Sequence, residues 1–137
     1  MLFVCLGNAC RSPMGEAIAR RDAADVMEVS SAGLIALKFL PELTVETLER
    51  NGYSAEGLVS EQLTDERLDA AELVINMSGR PKEAAFDRTE IVEDWMVEDP
   101  YGENAAVYQR IFNDIQRRVK ELAERLRATA VSKKSAR

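Results

Sequence analysis

A cysteine, five residues, an arginine and then a serine form the most chemically suggestive spacing in the chain: Cys5, Leu6-Gly7-Asn8-Ala9-Cys10, Arg11, Ser12. A thiolate attacks phosphorus readily, and a helix N-terminus and a neighbouring guanidinium both favour that form, so Cys5 is the candidate nucleophile. Arg11 offers a rigid fork of N–H donors matched to two phosphoryl oxygens, and the backbone N–H groups of Leu6 to Arg11 can converge on the third. Gly7 and Asn8 tolerate the positive φ that such a nest demands. Ser12 is placed to cap the following helix and to donate to the Cys5 sulfur, which makes that sulfur a better leaving group. Alone, a cysteine on an apolar strand is ordinarily a packing residue. In company with Gly7, Asn8, Arg11, Ser12 and Pro13 it reads as the nucleophile of a phosphate cradle.

Such a loop needs a strand before it and a helix after it. Leu2 to Val4 is a short apolar run suited to a buried parallel strand, and Pro13 suits a first helical turn because its missing N–H would be unpaired there. The spacing predicts a helix over 13–24, with Met14, Ala17 and Ile18 covering the sheet, and a strand over 26–31. Further helices are expected over 41–50, from Thr64 with a capping-box-like start, over 78–86, and over 103–127; further strands are expected over 53–59, 71–77 and 89–92. The stripe of Val107, Tyr108, Ile111, Phe112, Ile115, Val119, Leu122 and Leu126 in the last helix is core packing. Alternation at this pitch predicts an α/β three-layer sandwich: a short central parallel sheet of about four strands with helices on both faces and the site at the strand C-termini.

With 137 residues, 46% of them hydrophobic, the chain suffices for one domain, residues 1–137, with a basic flexible tail expected from about 128. No run approaches the roughly 18 apolar residues of a membrane span, and no secretory leader is evident, so a cytoplasmic protein without membrane contact is expected. The net charge of −6 is uneven: residues 116–137 carry eight basic residues against two acidic ones, leaving the rest at −12. An acidic body makes nucleic acid an unsuitable partner. The chain has no histidine and its two cysteines, Cys5 and Cys10, both lie in the loop, which excludes Cys/His zinc sites and histidine bases.

The run Val4-Cys5-Leu6-Gly7-Asn8-Ala9-Cys10-Arg11-Ser12-Pro13 resembles the V-C-x-G-N-x-C-R-S-P signature of the low-molecular-weight protein tyrosine phosphatases, matching every fixed position. Ser31-Ala32-Gly33, the Ala71–Met77 stretch and Asp99-Pro100-Tyr101-Gly102 are similar to further elements of that family. The resemblance implies a phosphatase-I-like fold and a cofactor-free, metal-free enzyme acting on phosphorylated proteins through a cysteinyl-phosphate, as a monomer or weak dimer. It assigns general-acid duty to Asp99, support of the loop to Asn8, Ser12 and Ser31, and the substrate pocket to Leu6, Gly7, Asn8, Ala9, Cys10, Ser12, Leu37 and Tyr101. The neighbouring acids Asp94 and Glu98 are expected to help Asp99 hold its proton. The resemblance also suggests a reversible Cys5–Cys10 disulfide shielding Cys5, the alternative being that Cys10 is merely a small buried residue. Near 53–59, where members carry a supporting histidine, this chain has Gly57 and Leu58, so the support of Asn8 comes from elsewhere or is looser.

Phosphotyrosine is the expected substrate, although Ala36, Leu37 and Phe39 stand where tyrosine-specific members commonly place Trp or Tyr. The stretches Ser60–Met77 and Val97–Gly102, with Tyr108, resemble bacterial protein arginine phosphatases, and phosphoarginine is the alternative. Ala9 matches neither the threonine of that group nor the isoleucine common in tyrosine enzymes. Trp95 ahead of Asp99 is similar to the arsenate reductases, whose thioredoxin-coupled form needs cysteines this chain lacks. A non-catalytic phosphate-binding module is the remaining alternative.

Overall fold

A computed structural model describes residues 1–135, and the side chains of residues 1–130. Among the described residues nine elements follow one another: β1 Leu2–Cys5, α1 Arg11–Asp22, β2 Ser30–Gly33, α2 Glu42–Arg50, α3 Asp65–Ala70, β3 Val74–Asn76, α4 Lys82–Ala85, β4 Val92–Asp94 and α5 Ala105–Ser135. The strands form one parallel sheet in the order β2-β1-β3-β4, with Leu2 opposite both Ser30 and Val74, and Val74 opposite Val92.

Strand side chains alternate between two cores, as the pleat requires. Phe3, Cys5 and Ile75 pack among Met14, Ile18, Leu48, Phe112 and Ile115 from α1, α2 and α5. Leu2, Val4, Ala32, Val74 and Val92 point the other way, onto Phe86 and the partly buried Leu63, Leu68 and Ala85 about α3 and α4. The layers are therefore helix, sheet, helix, as expected. Both faces of β1 are covered, so its residues are all buried and the strand reads as an apolar run without alternation.

Several boundaries differ from expectation for local reasons. Residues 26–29 turn back on Ala23, whose carbonyl accepts the N–H groups of Val26 and Met27, and β2 starts only at Ser30. The 53–59 stretch is not a strand: Tyr53 packs edge-on against Phe112 in the helical layer, and the sheet edge is met only by a bridge between Gly33 and Gln62. Gly79, at φ 86°, confines the helix expected over 78–86 to Lys82–Ala85. The last strand is shifted to Val92–Asp94. The last helix runs to Ser135, past the end expected near 127, because no Gly or Pro follows Gly102 to stop α5; residues 136–137 of the expected tail lie outside the described residues. Among the described residues no helix is long and apolar enough to cross a membrane.

Candidate active site

β1 delivers Cys5 to the C-terminal edge of the sheet, and the chain turns through residues 6–10 before α1 begins at Arg11. Asn8 adopts a left-handed φ of 48°, as expected of a nest residue. The loop's carbonyls are occupied from outside. Those of Cys5, Leu6 and Gly7 accept the N–H groups of Leu34, Ile35 and Leu37 at 2.8–3.0 Å, that of Ala9 accepts the Thr44 hydroxyl at 2.8 Å, and that of Cys10 accepts the N–H of Met14. Ser60 donates to the Gly7 carbonyl as well, at 3.0 Å. None of the N–H groups of Leu6 to Cys10 donates to a protein acceptor among the described residues, so the donors remain for a ligand. This close lamination requires Gly33, where a Cβ would meet Asn8 N at 2.8 Å and the Gly7 carbonyl carbon at 2.9 Å.

Behind the loop lies a buried polar network. Asn8 Oδ1 accepts the backbone N–H of Glu61 at 2.8 Å, which fixes the amide's orientation. Asn8 Nδ2 then gives its hydrogens to Ser12 Oγ at 2.8 Å and Ser31 Oγ at 3.0 Å. Ser31 donates to Glu16 Oε1 at 2.6 Å, and Ser12 Oγ lies 2.9 Å from Cys5 Sγ, where its proton meets the sulfur once that is a thiolate. Glu16 is in turn paired with Arg20. The Ser12 N–H also approaches Cys5 Sγ, at 3.4 Å. Ser12 is therefore not the helix cap; Cys10 occupies that position without a side-chain cap, and the Ser12 hydroxyl is committed to sulfur.

Arg11 is buried, with Nη1 donating to the Val97 carbonyl at 3.2 Å and Nη2 lying 3.5 Å from Asp99 Oδ2. Its Nε is buried with no partner among the described residues, a donor left over once their acceptors are counted. Asp99 is exposed on its other side and accepts the N–H of Tyr101 at 3.0 Å. The other two acids are engaged elsewhere: Glu98 pairs with Arg110 at 2.7 Å, and Asp94 accepts from Asn76 and from the N–H of Lys82. The charged partner of Asp99 is Arg11, not the neighbouring carboxylates.

These groups surround a pocket of about 190 Å³ lined by the loop from Cys5 to Arg11 (Asn8 excepted), by Ile35 and Leu37, and by Asp99 and Tyr101. The sequence-derived pocket residues Cys5, Leu6, Gly7, Ala9, Cys10, Leu37 and Tyr101 are brought together here. Asn8 and Ser12 are not walls of it; with Ser31 they stand behind the loop. Cys5 and Cys10 are both free thiols. Cys10 Sγ lies 3.3 Å from the Tyr108 hydroxyl. Burial pushes the Cys10 thiol above its ordinary range, and burial together with Cys10 does the same to the Tyr108 phenol.

Sequence reasoning missed Glu16, Thr44, Ser60 and Ile35. Glu16 stands four residues after Ser12, hence on the same helix side, which was the available signal. Thr44 and Ser60 act on loop carbonyls across more than 30 residues, and Glu61 through its backbone, for which no residue-type signal exists.

With this geometry, likeness to known proteins is informative. The family model described as "Low molecular weight phosphotyrosine protein phosphatase" matches residues 1–134. The chain is 31% identical over 140 residues to the "Probable low molecular weight protein-tyrosine-phosphatase EpsP" of Ralstonia nicotianae, covering 93% of this chain and 96% of that one. It is 30% identical over 130 residues to the "Glutaredoxin arsenate reductase" of a Synechocystis strain, covering 92% and 97%. Among solved structures, an arginine phosphatase from Geobacillus stearothermophilus superposes with a TM-score of 0.86 at 28% identity, covering 96% of this chain and 94% of that one.

Proposed function

The chain belongs to the low molecular weight phosphotyrosine protein phosphatase family, and from that premise we propose that it hydrolyses phosphotyrosine in proteins through a cysteinyl-phosphate. The observation that carries this reading is the placement of the Cys5 sulfur, under the Ser12 hydroxyl, in a pocket whose wall sets Asp99 3.5 Å from Arg11. The phosphoryl group binds the loop N–H groups and the Arg11 guanidinium, which supply its counter-charge. Cys5 forms the S–P bond as the ester P–O bond breaks, and Asp99 gives its proton to the departing oxygen. Water then attacks phosphorus, loses a proton to the Asp99 carboxylate, and expels the Cys5 thiolate, whose charge the Ser12 O–H stabilises.

The pocket walls support a phenyl ring over a guanidinium. Ile35, Leu37 and Tyr101 offer apolar surface, and the Ala9 carbonyl, which lies at the loop's turn, is already engaged by Thr44. A phosphoguanidinium needs several acceptors for its N–H groups, and here Asp99 is the only carboxylate of the wall. The test compares hydrolysis of a phosphotyrosine peptide and a phosphoarginine peptide by the reduced protein, with Cys5→Ser as blank. Preference for phosphotyrosine is expected. Preference for phosphoarginine overturns the substrate while keeping the mechanism, and failure on both peptides makes arsenate reduction or phosphate binding the reading to pursue.

A further inference from the structure

Six large apolar side chains stand exposed among the described residues, and five of them gather about the pocket: Ile35, Leu37, Phe39, Val59 and Tyr101, at 38–60% exposure. Ile35, Leu37 and Tyr101 line the pocket itself, whereas Phe39 and Val59 do not. The latter two are tied to it through backbone. Lys38 N–H donates to Ser60 Oγ at 2.9 Å, and Ser60 Oγ reaches the Gly7 carbonyl, so Phe39 and Val59 each flank a bond anchored on the phosphate loop. The two segments are joined again where Gln62 Oε1 accepts the N–H of Ala36 at 3.0 Å. Lys38 takes a φ of 70°, and among the described residues it and Asn8 are the two non-glycine residues with positive φ. A left-handed residue here separates Leu37, which lines the pocket, from Phe39, which meets solvent. Backbone in so sparsely populated a region persists where the surroundings over-determine it, and such residues gather at functional sites.

We propose that Phe39 and Val59 form an outer apolar ledge that selects substrates carrying a large apolar side chain next to the phosphorylated residue. The inference rests on the phosphatase reading above. Phe39 and Val59 each stand one residue from the Lys38–Ser60–Gly7 chain of hydrogen bonds, which places them one residue outside the pocket wall, and a peptide whose phosphorylated side chain enters past Leu37 and Tyr101 must lay its neighbouring residues over the rim. Exposed apolar side chains grouped beside a pocket mark an interaction site, and burying half of a Phe or Val side chain changes affinity by about tenfold. A second copy of the chain is the rival occupant, disfavoured by the net charge of −6 that each copy brings.

The experiment uses two phosphotyrosine peptides, identical except for Leu or Gly on both sides of the phosphorylated residue, together with p-nitrophenyl phosphate, which is too small to reach the ledge. The wild type is expected to favour the Leu peptide about tenfold in kcat/KM, through KM. Phe39→Ser with Val59→Ser is expected to erase that preference and leave p-nitrophenyl phosphate hydrolysis unchanged, and Phe39→Leu to keep it. Equal use of both peptides by a wild type active on p-nitrophenyl phosphate overturns the ledge alone. No turnover of any of the three overturns the phosphatase reading, and the ledge with it. Unaltered peptide preference in the double variant, with loss of a concentration-dependent dimer in sedimentation, assigns the surface to a second copy and also overturns the proposal.

Discussion

The floor of the pocket and its rim are held by different kinds of bond. In the floor, Asn8, Cys10 and Ser12 are buried and their side chains are hydrogen-bonded, each to partners far away in sequence or across the helix turn. On the rim, Ile35, Leu37 and Tyr101 are exposed, and what fixes that stretch is the main chain, through N–H groups given to the loop. The floor's geometry is thus ordered during folding, so donors and nucleophile need little rearrangement when a phosphoryl group arrives. The rim keeps side chains that are open to contact. Chemistry resides in the part with satisfied polar groups, and choice of substrate in the part with unsatisfied apolar surface.

Substitutions sharpen this contrast in descending order of effect. Cys5→Ser should lower turnover by roughly 10⁴-fold or more, while inorganic phosphate still raises the melting temperature; steady-state hydrolysis near the wild-type rate would remove Cys5 as nucleophile. Asp99→Asn should cost roughly 10²–10⁴-fold on a phenyl ester and far less on an activated leaving group. A loss independent of the leaving group would mean that Asp99 acts through Arg11 rather than as the acid.

Asn8→Ala should cost about 2–4 kcal/mol in urea unfolding, since it strands the Glu61 N–H and removes a donor from two buried hydroxyls. A cost below about 1 kcal/mol would mean that the network is not what holds the floor. The pH dependence follows from Cys10 and Tyr108, whose pKa values are raised above ordinary values of 9.0 and 10.0. Both are neutral when protonated, so the folded state binds these protons more tightly than the unfolded chain does. Their contribution is fully present below about pH 9 and is lost as pH rises through the raised values. Urea midpoints should therefore fall at alkaline pH, and Tyr108→Phe should flatten that fall; identical profiles would exclude the pair. The smallest change is expected on the rim. Leu37→Ala should alter stability by about 1 kcal/mol or less and raise KM for a phosphotyrosine peptide severalfold, and an equal loss in kcat would show that the rim also sets the geometry of attack.

The floor was legible in the sequence because its chemistry depends on residue types at fixed short spacing. Cys5, Gly7, Asn8, Arg11 and Ser12 lie within eight consecutive residues, and Asp99 was recognisable from its Pro-Tyr-Gly sequel. The parallel sheet was legible too, since Leu2–Cys5 is a plain apolar run and Val74–Asn76 continues the apolar stretch from Leu73. The failures share a cause. Whether 53–59 joins the sheet depends on Tyr53 finding Phe112, and how far the helix expected over 78–86 extends depends on Asp94 taking the N–H of Lys82 at its first turn. Such competition is decided by tertiary contacts at long separation, which local patterns do not encode.

The bonds from Leu34, Ile35 and Leu37 to the loop are made by peptide groups alone. Any amino acid other than proline supplies that N–H, so the side chains of this wall can be exchanged without loosening the cradle they border. The architecture is modular in an evolutionary sense: mutation is free to explore new substrates at positions 35 and 37 while the reaction machinery stays as it is. Gly33 has no such freedom, and one methyl group there would jam the joint between the two parts.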